Sequence, residues 1–332
     1  MPFFRTFCKM TKFIGFGFSL LVFMVAAYAF SPRHAPEFPA TGVAVNSLLV
    51  LDAARAGQRI VAVGERGHIV LSDDDGGSWR QVTSPTQATL TALYFFGEKT
   101  GWAVGHDSVI LKSDDGGSSW RQVYHAPDEQ KPLLDVWFGD ELNGYAMGAY
   151  GLFMETSNGG VSWRQRKIFD GDTHINAFSG ASARTGSKLF IAGEAGTLLR
   201  SDDAGKTWQP LSSPYKGSFF GILSLSDDSL LAFGLRGNVF RSNDAGATWN
   251  AVESGTQATL MGGLVSADGR VVLVGQGGVM LVSQDQGNSF QLRNHASGKA
   301  LAAVLAAKKG KDELLLFGES GVSHFNIGAA AK

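Results

Sequence analysis

Six times along this chain a short polar run, Ser/Thr-x-Asp/Asn-x-Gly-x-Ser/Thr, ends in Trp or Phe. Its third residue is Asp74, Asp115, Asn158, Asp203, Asp244 or Asp285. A carboxylate so placed can accept hydrogen bonds from backbone N–H groups of its own turn. The following glycine, Gly76, Gly117, Gly160, Gly205, Gly246 or Gly287, supplies a conformation that side chains resist. Two other chemistries are open to such a run, calcium binding, suggested by Asp73-Asp74-Asp75, and sugar binding. A calcium loop needs six or more oxygens converging on one place, and these eight-residue runs lack its spacing and its closing Glu. The run is therefore read as a structural staple, and no metal or cofactor is expected.

A second set of polar residues lies in glycine turns of the form Gly-x-x-Gly. They are Glu65, Arg66, His106, Asp107, Tyr150, Glu194, Arg236, Gln276 and Glu319. Acids, bases, an aromatic and an amide in equivalent positions suit a binding surface. Tyr150 with Glu194, and Arg66 with Arg236, could also serve a glycosidase, but that reaction requires two groups at a defined separation, which a sequence does not supply. Serine hydrolysis has no Gly-x-Ser-x-Gly elbow here, and the seven histidines show no paired metal spacing.

The elements that position both sets repeat. The first glycine of each turn falls at Gly64, Gly105, Gly148, Gly193, Gly234, Gly275 and Gly318, in steps of 41, 43, 45, 41, 41 and 43 residues. In the first six copies the aromatic follows 15 residues later, at Trp79, Trp120, Trp163, Trp208, Trp249 and Phe290. A period of about 40 to 45 residues with several short β-rich runs is the mark of a four-stranded propeller blade. The fold expected is all-β, one seven-bladed propeller over residues 30–332. Its blades lie near 47–84, 88–125, 131–168, 174–212, 218–253, 258–294 and 299–327. In blade one the strands are expected at Leu48 to Leu51, Arg59 to Val63, His68 to Leu71 and Trp79 to Val82.

Blade seven runs out of chain, because 15 residues beyond Gly318 is one past Lys332. Its fourth strand is expected from Phe38 to Val45, which would close the ring and cover an edge otherwise open to aggregation. Strand alternation places the glycine turns and the inter-blade links on one face and the six polar runs on the other. The longest link, Tyr124 to Pro132, should overhang the glycine turns.

Net charge is −1 in 332 residues, so no global field attracts nucleic acid. Arg5, Lys9 and Lys12 precede an uncharged stretch from Phe13 to Pro32 that contains Ala27-Tyr28-Ala29. Residues 1–29 read as a signal peptide or a membrane anchor, and either places the propeller outside the cytoplasm, in the periplasm or on the outer side of the membrane. The one cysteine, Cys8, precedes that stretch, so no disulfide is available.

Seven Gly-x-x-Gly copies, six of them followed by Ser-x-Asp-x-Gly-x-Ser/Thr-Trp and all behind an export signal, resemble the photosystem II stability and assembly factor family. The polar run is its Asp-box. The resemblance covers roughly residues 43 to 325, with departures at Thr156 and Asn158, at Ser108 for a second glycine, and at Phe290 for Trp. It implies a non-enzymatic, monomeric scaffold for a protein partner that is itself membrane-associated or exported. Asp-boxes also occur in sialidases, but the Arg-Ile-Pro segment of those enzymes is missing here.

Overall fold

The computed structural model describes residues 20–28, 44–180, 188–226, 228–310 and 312–328. The chain divides into two units, Met1–Thr41 and Gly42–Lys332. In the first, residues 20–28 are helical. No helix among the described residues is long and apolar enough to cross a membrane. Most of the expected signal or anchor, 1–29, lies outside the described residues.

The second unit is a seven-bladed β-propeller, which among the described residues comprises six four-stranded antiparallel sheets and one three-stranded sheet. Strands follow chain order from the inside outward, as in blade one with Val50–Ala56, Arg59–Gly64, Ile69–Ser72 and Arg80–Val82. The second strand of every blade is almost wholly buried, for example Leu189–Gly193, Leu230–Gly234 and Val271–Gly275. Continuous Val, Leu and Ile are what a strand covered on both faces requires. Their side chains join neighbouring blades: Val61, Val63, Ile69 and Leu71 of blade one pack with Leu93, Ala103 and Leu111 of blade two. The ring closes in the same way, with Ile60, Ala62 and Val70 against Leu315 and Phe317 of blade seven.

Strand ends differ from expectation in one systematic way. The inner strand of blade one begins at Val50 and not at Leu48, and its outer strand begins at Arg80 and not at Trp79. The indole of Trp79 folds back to donate Nε1–H to the Gly76 carbonyl, which keeps the aromatic inside the turn. Each inner strand also carries a bulge at its second residue, as between Val50 and Asp52 or between Leu133 and Asp135.

That bulge stitches four consecutive seams. The Asp52 carboxylate accepts the Leu93 N–H of blade two at 2.7 Å, and the Thr91 hydroxyl donates to the Leu133 carbonyl of blade three at 2.7 Å. Asp135 accepts the Phe178 N–H of blade four at 2.7 Å, and the Asn176 amide donates to the Phe219 carbonyl of blade five at 2.8 Å. Blades five to seven have Gly221, Gly262 and Ala303 where blades one and three have their aspartates. At Gly262 the reason is distance, since a Cβ there would lie 2.1 Å from the Ala302 carbonyl oxygen.

Blade seven has three strands among the described residues: Leu301–Ala306, Glu313–Gly318 and Gly321–Asn326. Of the fourth strand expected from Phe38 to Val45, residues 38 to 43 lie outside the described residues. Val45 itself is not in a strand and belongs to a 3-10 turn, Val45–Ser47. Its carbonyl oxygen lies 1.8 Å from where a Gly321 Cβ would be. Thr86, Tyr215 and Thr256, in links that follow a fourth strand, stand against Gly67, Gly196 and Gly237 in the same way. Val45 thus occupies the place of a link residue.

On the opposite face the seam between blades seven and one carries a latch. Asp75, 8% exposed and left-handed at φ 64, accepts the Arg55 guanidinium at 2.6 Å and the backbone N–H groups of Lys308 at 2.7 Å and Lys309 at 3.1 Å. Arg55 also donates to the Ala306 carbonyl. Four of the other five Asp-boxes place Gly116, Gly159, Ala204 and Ala245 at this position, and none of these can form such a bond.

Candidate binding face

In each Asp-box the hydroxyls and the carboxylate complete one another. Asp203 Oδ1 accepts the Ser201 hydroxyl and the Thr207 N–H, each at 2.8 Å, while Oδ2 accepts the Thr207 hydroxyl at 2.7 Å. Asp74, Asp115, Asp244 and Asp285 repeat the pattern. At Asn158 it is reversed in one bond, the amide donating to the Ser162 hydroxyl at 2.8 Å, so that the departure from Asp preserves the turn. The glycine that follows is left-handed in all six, from φ 77 at Gly160 to φ 89 at Gly76. Bonds from the Thr207 hydroxyl and N–H hold Asp203 down at about 2, and those from the Ser289 and Ser283 hydroxyls hold Asp285 at about 2. Asp74 lies lower still, through the Ser78 hydroxyl and N–H.

The run Asp73-Asp74-Asp75 does not converge on one point. Asp73 pairs with Arg59 at 2.5 Å, Asp74 is held by its own box, and Asp75 forms the seam latch. Three neighbouring carboxylates therefore serve three separate partners.

On the other face the Gly-x-x-Gly turns form 3-10 turns in blades one to six, such as Glu65–Gly67, Ala149–Gly151 and Leu235–Gly237. The first glycine is nearly extended, and it is required by close approach. A Cβ on Gly64 would lie 1.9 Å from the Leu49 carbonyl oxygen, and one on Gly148 would lie 2.0 Å from that of Pro132. Ser108, the departure from the second glycine, keeps the left-handed backbone at φ 51 and uses its hydroxyl to hold the Lys131 carbonyl at 2.6 Å.

The expected site residues fall into two tiers. Those directly after the first glycine donate their N–H to the residue that precedes the inner strand, as from Glu65 to Leu49, His106 to Thr89, Glu194 to His174, Gln276 to Thr259 and Glu319 to Ala300. Glu65 and Glu194 are half-buried, and the Glu65 carboxylate is tied back to the Leu49 N–H at 3.3 Å. Those one position later are exposed and left-handed: Arg66 at φ 53, Asp107 at 59, Tyr150 at 54 and Arg236 at 58. This region costs a residue with a side chain about 1–2 kcal/mol. Blade six uses Gly277 at the same position, φ 67, without that cost.

Tyr150 and Glu194 do come together, through a residue that the turn motif does not contain. His174, just before the inner strand of blade four, places its Nδ1 3.4 Å from Glu194 Oε1. The Tyr150 ring stands edge-on to the imidazole with centroids 4.9 Å apart. A signal existed in the sequence, because His174 aligns with Leu49, Thr89, Pro132, Ser218, Thr259 and Ala300 ahead of the other inner strands. The long link contains a 3-10 turn at Pro127–Glu129, and its Ala126 N–H is bonded to the Asp107 carbonyl of the blade-two turn at 3.0 Å.

A protein-family model described as Photosynthesis system II assembly factor YCF48 matches residues 118–273. The chain resembles this family. Two solved YCF48 structures share the fold. One, described as bound to D1 peptide, has 17% identity and a TM-score of 0.68, covering 90% of this chain and 96% of that one. The other, from Cyanidioschyzon merolae, has 16% identity and a TM-score of 0.65, covering 88% and 98%. A GH74 enzyme of Niastella koreensis also shares the fold at 16% identity and a TM-score of 0.68, with 87% of this chain on 54% of that one. Comparison with curated proteins by sequence finds no match.

Proposed function

We propose that this propeller is a non-enzymatic scaffold, exported or anchored outside the cytoplasm. It binds a segment of a membrane or exported protein on its glycine-turn face and assists that protein's assembly or stability. One observation carries the reading. The Asp-box carboxylates are taken up by their own turns, while the opposite face presents Arg66, Asp107, Tyr150 and Arg236 outward from left-handed backbone. Tyr and Arg are the side chains most often found to dominate protein interfaces. The resemblance to YCF48, and a peptide bound to one propeller of that family, support a peptide segment as the form the partner takes.

The test is capture from membranes by the tagged propeller, with the captured protein identified and its binding then measured with purified components. Tyr150→Ala and Arg236→Ala are each expected to weaken binding by 2 kcal/mol or more, roughly the threshold for an interface hot spot. Because a glycoside hydrolase shares the fold, glycoside turnover is measured in parallel. Turnover abolished by Tyr150→Phe or Glu194→Gln would replace the scaffold reading with an enzyme.

A further inference from the structure

The glycine-turn face is electrically lopsided. Around the sector from the blade-two turn to the blade-four turn, the turns and links carry six carboxylates, Asp107, Asp128, Glu129, Asp170, Asp172 and Glu194. Against them stand Lys131, Arg166 and Lys167, a balance of −3 by residue type. Lys167 is already paired with Asp170 at 2.8 Å, and Arg166 turns its guanidinium away to the Gly205 and Lys206 carbonyls of an Asp-box. The remaining turns and links carry Arg66, Lys216, Arg236 and Lys299 against Glu65, Glu253 and Glu319, a balance of +1.

Within the acidic sector Tyr150, 56% exposed, and the half-buried carboxylate of Glu194 flank His174 from its two sides. An aromatic ring and a carboxylate on the two sides of one imidazole can hold a cationic side chain from two directions, by cation–π attraction and by ion pairing. Resting on the scaffold reading above, we infer that the sector between blades two and four docks a lysine- or arginine-bearing stretch of the partner, with Tyr150 and Glu194 as its contacts. The basic side chain lies over the Tyr150 ring and points at Glu194, and the surrounding carboxylates raise the rate of encounter through their field.

The experiment uses the full chain and two capped hexapeptides, one carrying three lysines and one carrying three glutamates on the same neutral background, with binding followed by fluorescence anisotropy. The lysine peptide is expected to bind and the glutamate peptide to bind at least tenfold more weakly, with affinity for the former falling as salt rises. Glu194→Gln should weaken the lysine peptide several-fold and Tyr150→Ala about threefold, on the scale of an exposed cation–π contact. Tyr150→Phe should bind like the wild type, since the ring and not the hydroxyl makes the contact. Equal binding of the two peptides, or full binding to Glu194→Gln, overturns the inference. If the lysine peptide fails while a captured membrane protein still depends on Tyr150, the scaffold stands and the assigned chemistry falls. If the lysine peptide binds as described and no protein partner is captured, the sector is upheld and the scaffold reading fails.

Discussion

The two faces of the propeller carry aspartates, arginines and aromatics alike, yet they use them in opposite ways. On the Asp-box face the polar side chains of each box are answered within the box: Asp203 by Ser201 and Thr207, Trp208 Nε1 by the Gly205 carbonyl. On the glycine-turn face the backbone is answered, and the side chains two positions after the first glycine, such as Arg66 and Arg236, point outward. The N–H of Glu65 or Gln276 is bonded, while Arg66, Tyr150 and Arg236 stand in solvent from strained backbone. Residue types repeated from blade to blade thus go with turn mechanics, and variation between blades goes with the surface available to a partner.

The comparison would be broken most severely at the closing seam. If residues 38 to 43 supply the fourth strand of blade seven, their deletion should lower the melting temperature more than any point substitution, while removing residues 328–332 should leave it nearly unchanged. Equal effects of the two truncations would remove the closing strand. Next in size is the latch: Asp75→Ala leaves Arg55 without its carboxylate, and should cost about 3 kcal/mol in denaturant unfolding. A loss below about 0.5 kcal/mol would show that the seam is held by blade packing alone.

The aspartates also separate by pH. Burial pushes Asp52 and Asp135 up to about 7, against the bonds from Leu93 and Phe178, with Asp52 adding to the rise at Asp135. A folded value above the unfolded one means that the native state holds a proton the unfolded chain has released. Their contribution to stability therefore falls as pH rises from about 4 to about 7. Asp203 and Asp285, held at about 2, act the other way, contributing above about pH 4 and losing that contribution as pH falls toward 2. Urea unfolding at pH 4.5, 6 and 8 should show a flatter profile over this range for Asp52→Asn than for the wild type. Asp203→Ala should lower stability at all three pH values, by similar amounts, and leave partner binding intact. An Asp52→Asn profile parallel to the wild type would contradict the raised value.

The smallest effect sharpens the contrast between the faces. Tyr150→Gly relieves the left-handed backbone, but glycine gives back part of that gain in chain entropy, so stability should rise by only about 0.5 kcal/mol. Binding of the partner should weaken in the same variant. A gain in stability without a loss in binding would mean that Tyr150 is strained for no purpose on this face.

The periodic glycines and the unbroken apolar second strands made the seven blades legible in the sequence, because a turn packed so closely that an added Cβ would lie about 2 Å from a neighbouring carbonyl oxygen accepts only glycine, and a strand covered on both faces accepts only apolar side chains. The Asp-boxes were legible for the same reason, since each is complete within eight residues. What the sequence left undecided depends on distance between parts far apart in the chain. Glu194 meets Tyr150 only through His174, and Asp75 differs from Asp73 and Asp74 only because Lys308, 233 residues on, arrives beside it. The bonds from Asp52 and Asp135 to the next blade likewise exist only once neighbouring blades are packed together. Local turns are decided by their own residues, whereas a partner across a seam is decided by the closure of the ring, and only the tertiary structure contains that.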